Sequence, residues 1–198
     1  MNMKMIRQLF PLAIGGIALG STEFIPMGLM RTMGGDLHLS DDQVGNFIAA
    51  YAIGVVVGAP TLVGLSTRFQ PKKVLIAFML LFTLFNGLFS LMPTYETLLI
   101  SRFCSGLPHG AFFGVGAIVA KQLAPREKEA MAISVMFGGL TIANLLVIPL
   151  FTHLGGVIGW RPVVGMIAAL GLVTALCVFF FLPKVDSQRD MTLWKELQ

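Results

Sequence analysis

Two ionisable side chains interrupt stretches of the sequence that are otherwise apolar. Glu23 is the only ionisable residue between Leu9 and Met30, and Arg102 stands inside the apolar stretch that begins at Tyr95. Such a group at the centre of a membrane helix costs roughly 3 kcal/mol and usually faces a partner or a water-filled cavity. Burial disfavours the charged form of a carboxyl, whereas a nearby cation favours it. A glutamate under both influences is suited to loading and releasing a proton.

The composition indicates that the solvent of these stretches is lipid. Of 198 residues, 56% are hydrophobic and only 12% are charged, whereas a soluble domain carries about 25% charged residues. A helix needs about 20 mainly apolar residues to cross a bilayer. We predict an all-α membrane protein whose six transmembrane helices, spans one to six, cover residues 9–30, 41–65, 73–92, 95–123, 129–154 and 162–182.

The breaks between the spans have local causes. In GGDLHLSDDQ, Gly34 and Gly35 are expected to form a turn, and Ser40 with Gln43 is expected to form a capping box at the start of span two. Proline, glycine or charge interrupts the other junctions. Three regions follow: an N-terminus at 1–8, a six-helix body at 9–183 and the start of a linker at 184–198.

The basic residues predict the orientation. Eleven of the fourteen lysines and arginines fall on one side of the six spans. Because cytoplasmic loops carry an excess of such residues, both termini are expected in the cytoplasm and the chain in the inner membrane. The eleven are Lys4, Arg7, Arg68, Lys72, Lys73, Lys121, Arg126, Lys128, Lys184, Arg189 and Lys195.

Glu23 and Arg102 are predicted at matching depth. With span one ending at Met30 and span four beginning at Tyr95, each lies about seven residues from the same surface, roughly 10 Å deep at 1.5 Å per residue. We therefore expect them to be partners. A proton-coupling pair and a static pair that only fixes helix packing both remain open.

Other polar residues and glycines inside the spans have two interpretations each. His109, Tyr51, Asn86 and Asn144 either line a substrate cavity or hydrogen-bond neighbouring helices. Glycines at a spacing of four form a smooth ridge for close helix packing; they are Gly54 and Gly58 in span two and Gly106, Gly110 and Gly114 in span four.

Several classes of function are disfavoured. The basic residues do not form a stripe with interleaved aromatics, which argues against nucleic acid as a partner despite the net charge of +4. No metal spacing, phosphate loop or nucleophile with an adjacent base is apparent, so neither an enzyme nor a cofactor is expected.

Longer stretches resemble a known family. STEFIPMGLM, AYAIGVVVGAP, LISRFCSGLPHGAFFGVGAIVA and GGLTIANLLVIPL together resemble the major facilitator superfamily, closest to its drug–proton antiporter branch and arabinose-efflux-permease-like proteins. Arg102 matches the arginine of the fourth-helix motif L-x-x-x-R-x-x-x-G, which in relatives is linked to proton translocation. Pro149 matches the fifth-helix antiporter motif and is expected, by this resemblance, to help pack helices together, although Val147 and Phe151 replace glycines that are frequent there.

The resemblance also assigns a role to the loop between spans two and three. Arg68, Lys72 and Lys73 fall on a basic loop that helps control the conformational switch in relatives. Thr67 stands where an aspartate is usual, and Gln70 and Pro71 replace glycine and arginine.

Members of the superfamily have twelve helices in two halves, each built from two inverted three-helix repeats. The resemblance therefore implies one half of a transporter, completed by a C-terminal half or a second copy. It implies proton-coupled efflux of a small sugar-like or drug-like solute, with Glu23 as the protonation site and Arg102 as its modulator. A uniporter, a symporter and a non-transporting scaffold are the alternatives.

Overall fold

The computed structural model describes residues 3–185, and within this range the chain forms six long helices. The prediction of six apolar spans is confirmed. Their bounds are Met3–Gly28, Asp41–Ser66, Pro71–Leu91, Tyr95–Leu123, Arg126–Ile158 and Trp160–Phe181. A short helix, Met30–Leu37, follows span one. Span five contains a π-helical segment, Ala143–Val147. The predicted linker at 184–198 lies almost wholly outside the described residues.

Span one and the short helix extend further than the sequence indicated. Span one begins at Met3, because Met5 and Leu9 pack into the core. The predicted glycine turn is wrong: Gly34 and Gly35 belong to the short helix, and the chain turns at His38, which adopts the left-handed conformation with φ 54°. Glycine inside a helix costs only about 0.5–1 kcal/mol relative to alanine, a penalty that tertiary packing can overcome.

The capping box that starts span two is confirmed. The Ser40 hydroxyl accepts a hydrogen bond from the Gln43 backbone N–H at 3.3 Å, and the Gln43 side-chain oxygen accepts one from the Ser40 N–H at 3.0 Å. These bonds satisfy two of the N–H groups that a helix start leaves without partners.

Glycines bring spans two and four into backbone contact; their spacing predicted close packing, and the structure shows which helices meet. A Cβ added to Gly54 would meet the Phe103 carbonyl oxygen, and one added to Gly58 would meet the backbone of Leu107. Gly106 lies against the Tyr51 carbonyl in the same way. Gly110 continues this seam against Ala59, whereas Gly114 makes only ordinary contact with Val63 at 3.4 Å.

A second glycine seam joins spans one and five. Gly16 lies against the Met136 carbonyl and Gly139, and Gly20 packs on Ala143. Pro149, which is expected to help pack helices together, is exposed within this half, just past the π-helical segment. Its ring lacks an N–H and conflicts with the carbonyl four residues earlier, which accounts for irregular hydrogen bonding before it.

Spans three and six are joined by a cation at each end. Near the start of span three, Lys72 Nζ donates to the Leu182 carbonyl at the end of span six, at 2.6 Å. Near the start of span six, Arg161 Nη1 donates to the carbonyls of Ser90 and Met92 at the end of span three, at 3.0 and 2.9 Å. Each helix therefore supplies the cation that satisfies carbonyls left open at the other's C-terminus.

The three pairings define two inverted repeats, spans one to three and spans four to six. Between the repeats, span one corresponds to span four, span two to span five and span three to span six. The contact between spans two and four therefore corresponds to the contact between spans five and one, and the contact between spans three and six corresponds to itself. The internal symmetry implied by the family resemblance is thus visible in the helix contacts.

Candidate functional site

Glu23 faces His109 and does not form the expected direct pair with Arg102. Its Oε2 lies 3.8 Å from His109 Nε2, and its side chain is 36% exposed. Among residues 3–185, the ion pairs within 4.0 Å between charged side chains are Lys121–Glu129 and Arg161–Asp36, and Glu23 with Arg102 is not one of them. The charges of the Glu23 carboxyl and the Arg102 guanidinium act on each other at longer range, without a direct contact among the described residues.

Both the depth of Glu23 and its face on span one differ from the expectation. Helical structure continues beyond Met30 to Leu37, so Glu23 lies about 14 residues, or roughly 21 Å, below that end at 1.5 Å per residue. His109 likewise lies about 14 residues below the start of span four at Tyr95, whereas Arg102 lies only about seven below it. Counted this way, Glu23 is level with His109. Arg102 nevertheless reaches Thr22, the residue directly before Glu23. Because consecutive residues lie about 100° apart on a helix, Thr22 faces Arg102 whereas Glu23 faces His109.

Arg102 is buried and held by neutral groups. Its Nη1 donates to the Thr22 hydroxyl and its Nη2 to the Thr22 carbonyl, both at 3.1 Å, while Nε donates to the Phe47 carbonyl at 3.3 Å. The guanidinium also lies over the rings of Tyr51 and Phe89, 4.3 and 5.3 Å from their centroids. Carbonyl dipoles and aromatic faces together stabilise a buried cation without a carboxylate.

Asn86 extends the bonds of Arg102 into span three. The Thr22 hydroxyl donates to Asn86 Oδ1 at 2.5 Å, and Asn86 Nδ2 donates to the Phe82 carbonyl at 2.9 Å. Because Asn86 is fully buried, its predicted place in a cavity wall is wrong. Its side chain instead links spans one and three, the second of the two interpretations that its sequence position allowed.

Tyr51 and His109 form a buried pair beside Glu23. The Tyr51 hydroxyl lies 2.7 Å from His109 Nδ1, and neither residue presents more than a small part of its surface. Because both side chains are buried and meet across spans two and four, the contacts within this half correspond to the second interpretation, a hydrogen bond between neighbouring helices. Asn144 is exposed in span five, where its side chain donates to the Leu140 carbonyl of its own helix at 3.0 Å.

The three cations of the basic loop differ in their surroundings. Lys72 is engaged with the end of span six and lies over the Phe179 ring at 5.7 Å. Arg68 and Lys73 are exposed. Lys73 borders a mainly apolar cavity of about 320 Å³ between spans two and three.

Sequence reasoning missed Thr22, Gly16, Gly139 and the partner of Trp160. The Trp160 Nε1–H donates to Asp36 Oδ2 at 2.9 Å, so the short helix is tied to the start of span six. Gly16 and Gly20 repeat the spacing that revealed the other seam, and that signal was available in the sequence. Thr22 gave no signal, because a threonine inside a helix usually bonds its own backbone. Within the described range, no group of three histidine, cysteine or acidic residues forms a metal-binding cluster.

Comparisons with known proteins agree with this architecture. Residues 12–194 match the family model described as Major Facilitator Superfamily. The chain is 42% identical over 195 residues to the inner membrane transport protein YdhP of Escherichia coli K12, covering 98% of this chain and 50% of that protein. It is 38% identical over 184 residues to the putative transporter AraJ of the same strain, covering 93% and 47%. The chain thus spans about half the length of these curated relatives.

Solved structures show the same fold at low sequence identity. A bacterial homologue of the human lysosomal transporter Spinster, in an inward-facing and unoccupied conformation, superposes with a TM-score of 0.83 at 14% identity, covering 94% of this chain and 45% of that one. The proton:xylose symporter XylE bound to 6-bromo-6-deoxy-D-glucose gives a TM-score of 0.79 at 17% identity, covering 91% and 45%.

Proposed function

Because this chain belongs to the major facilitator superfamily, we propose that it is one half of a transporter that exports a small sugar-like or drug-like solute in exchange for protons. One observation carries the coupling: Glu23 is a part-exposed carboxylate deep in the helix bundle, beside a buried network of polar side chains. A carboxylate in this setting is a functional group by default, because the apolar surroundings penalise its charge.

The network around Glu23 suits a reversible change of protonation. The Glu23 carboxyl is exposed enough to meet water or solute. The Arg102 guanidinium is held in place by its hydrogen bonds to Thr22 and Phe47. Arg102 therefore supplies a positive potential that stays in place whether Glu23 is charged or neutral. In this proposal a proton on Glu23 and a bound solute alternate as the cavity opens to either side of the membrane.

Alternating access requires a second body against which this half can rock. We assign that role to a C-terminal six-helix half or, as an alternative, to a second copy of this chain, both within the lipid bilayer. The exposed side chains of Arg68 and Lys73 are the basic-loop groups that remain available as a cytoplasmic latch, since Lys72 is bonded within this half. We place the transporter in the inner membrane with both termini in the cytoplasm, as the distribution of cations predicts.

Two other modes of action compete with efflux. The structural neighbour XylE is a proton:xylose symporter, but an identity of 17% supports only the shared fold. A uniporter would use the same fold without proton movement. A non-transporting scaffold would retain the network of Arg102, Thr22 and Asn86 for packing alone.

Everted membrane vesicles test the proposal. Vesicles containing the full-length gene product are acidified by respiration, and the pH gradient is followed by acridine orange fluorescence while L-arabinose or ethidium is added. We expect at least one probe to release protons from wild-type vesicles and to be taken up against its gradient. Glu23→Gln should abolish this release, whereas the matched control Glu96→Gln, at an exposed helix start, should retain it.

The outcomes separate the alternatives. Proton release that persists in Glu23→Gln would move coupling away from this carboxylate. Uptake that survives collapse of the pH gradient by nigericin would indicate a uniporter, and proton movement in the same direction as the probe would indicate symport. Binding of a probe without any transport would support the scaffold.

A further inference from the structure

The imidazole of His109 lies between a hydroxyl and a carboxyl, and each of these groups faces a different ring nitrogen. Nδ1 lies 2.7 Å from the Tyr51 hydroxyl, and Nε2 lies 3.8 Å from the Glu23 carboxyl. A neutral imidazole has one N–H donor and one acceptor nitrogen, so only one of these neighbours can receive a proton from the ring. The tautomer of His109 therefore decides whether a donor or an acceptor faces Glu23.

Tyr51 favours one tautomer. Its side chain is 2% exposed, and within residues 3–185 its hydroxyl has one hydrogen-bond partner, His109 Nδ1. If Tyr51 donates to Nδ1, the hydroxyl proton is satisfied and the ring proton resides on Nε2. If Nδ1 carries the proton instead, the Tyr51 hydroxyl proton is left buried without an acceptor, an arrangement that folded proteins avoid.

We propose that His109 is a positioning residue for Glu23, and that Tyr51 fixes its tautomer so that the Nε2–H faces the carboxyl. An N–H at this position stabilises the carboxylate form and offers Glu23 a neighbour that Arg102 does not provide. The transport role of His109 rests on the proposed function, whereas the tautomer does not. The titratable and charged groups that face the ring are Glu23 from span one, Tyr51 from span two and, over the tyrosine ring, Arg102 from its own span.

The cation over Tyr51 strengthens this assignment. The Arg102 guanidinium lies 4.3 Å from the centroid of the Tyr51 ring. A positive charge at the ring makes the hydroxyl a better donor and a poorer acceptor, because it draws electron density from the oxygen. The same cation that anchors span one thus directs the Tyr51 proton toward His109 Nδ1.

Nitrogen NMR of the histidine side chains tests the tautomer without any substrate. This chain contributes the rings of His38, His109 and His153 to the spectrum of protein labelled with [15N]histidine in detergent, and the signals of His109 are identified by their loss in His109→Gln. We expect His109 to be neutral with its proton on Nε2. Tyr51→Phe should lower the ratio of Nε2–H to Nδ1–H forms about tenfold, the equivalent of one hydrogen bond. Tyr95→Phe, the other tyrosine of the chain, should leave the ratio unchanged.

In the wild type and Tyr51→Phe, three results would overturn the proposal: an Nδ1–H form in the wild type, a doubly protonated ring, or a ratio that Tyr51→Phe does not alter. In Glu23→Gln, His109 should keep the Nε2–H form. Loss of the Nε2–H form in that variant would show that Glu23 and not Tyr51 sets the tautomer.

A second measurement connects the tautomer to transport. In the acridine orange assay, His109→Gln keeps a side-chain N–H able to face Glu23 and should retain more proton release than His109→Leu, while His153→Gln should equal the wild type. Equal loss in His109→Gln and His109→Leu would refute a role for the donor. If wild-type vesicles move no protons but the NMR result stands, the proposed function fails and the assignment of the tautomer survives.

Discussion

Replacing Gly58 by alanine measures how closely spans two and four approach each other. The added Cβ would lie within 2.6 Å of the Leu107 carbonyl carbon and closer still to two other backbone atoms of that residue. Backbone atoms cannot turn aside as a flexible side chain does, so the two helices must separate. Overpacking of this kind costs about 1–3 kcal/mol.

Alanine also has an opposing, favourable effect. Its higher helix propensity contributes about 1 kcal/mol relative to glycine. With the clash at the upper end of its range, the net loss is about 2 kcal/mol. For a chain of this length, one kcal/mol shifts the melting temperature by about 2–4 °C, so we expect Gly58→Ala to melt about 4–8 °C lower.

Gly64 is the matched control on the same helix, because among residues 3–185 no atom beyond its own stretch of helix backbone lies within 4 Å of the position of an added Cβ. Gly64→Ala should therefore leave the melting temperature unchanged or raise it. The assay is the loss of the monodisperse peak in fluorescence-detected size-exclusion chromatography after heating in detergent. If Gly58→Ala melts at or above the wild type and moves together with Gly64→Ala, the backbone contact between spans two and four is refuted.

Two further substitutions test the polar contacts by the same melting assay. Lys72→Gln should lower the free energy of unfolding by about 1 kcal/mol, because it removes the charged donor to the carbonyl at the end of span six. Lys73→Gln is the control and should have no effect. Equal losses in the two variants would contradict the stabilising role of the bond between Lys72 and span six. Thr22→Val should cost about 1–3 kcal/mol, because it leaves Arg102 Nη1 and an Asn86 oxygen without their buried partner. Thr61→Val is the control, because within the described range the Thr61 hydroxyl bonds only to its own helix. An equal change in both variants would argue against the network.

The glycine seams show where sequence reasoning succeeds. The spacing of Gly54 and Gly58, and of Gly106 and Gly110, predicted close packing because residues four apart share one face of a helix. Spans one and five carry a similar signal in Gly16 and Gly20, which only the structure matched to Gly139 and Ala143. A small-residue pattern identifies a face for close approach, but it does not name the helix that approaches.

The sequence by itself determined the number of spans and the local start of span two. In lipid each backbone polar group must be satisfied within its own segment, so apolar length alone indicates a helix. The cap at Ser40 depends on two residues three positions apart and needs no other part of the chain.

Only the tertiary structure decided the partner of Glu23. That partner depends on the face of span one on which each side chain stands: Thr22 faces Arg102, whereas Glu23, one position later, faces His109. It also depends on Arg102, whose long side chain reaches the Thr22 and Phe47 carbonyls in preference to a carboxylate. These alternatives differ by small free energies summed over several helices, and no single stretch of sequence contains them.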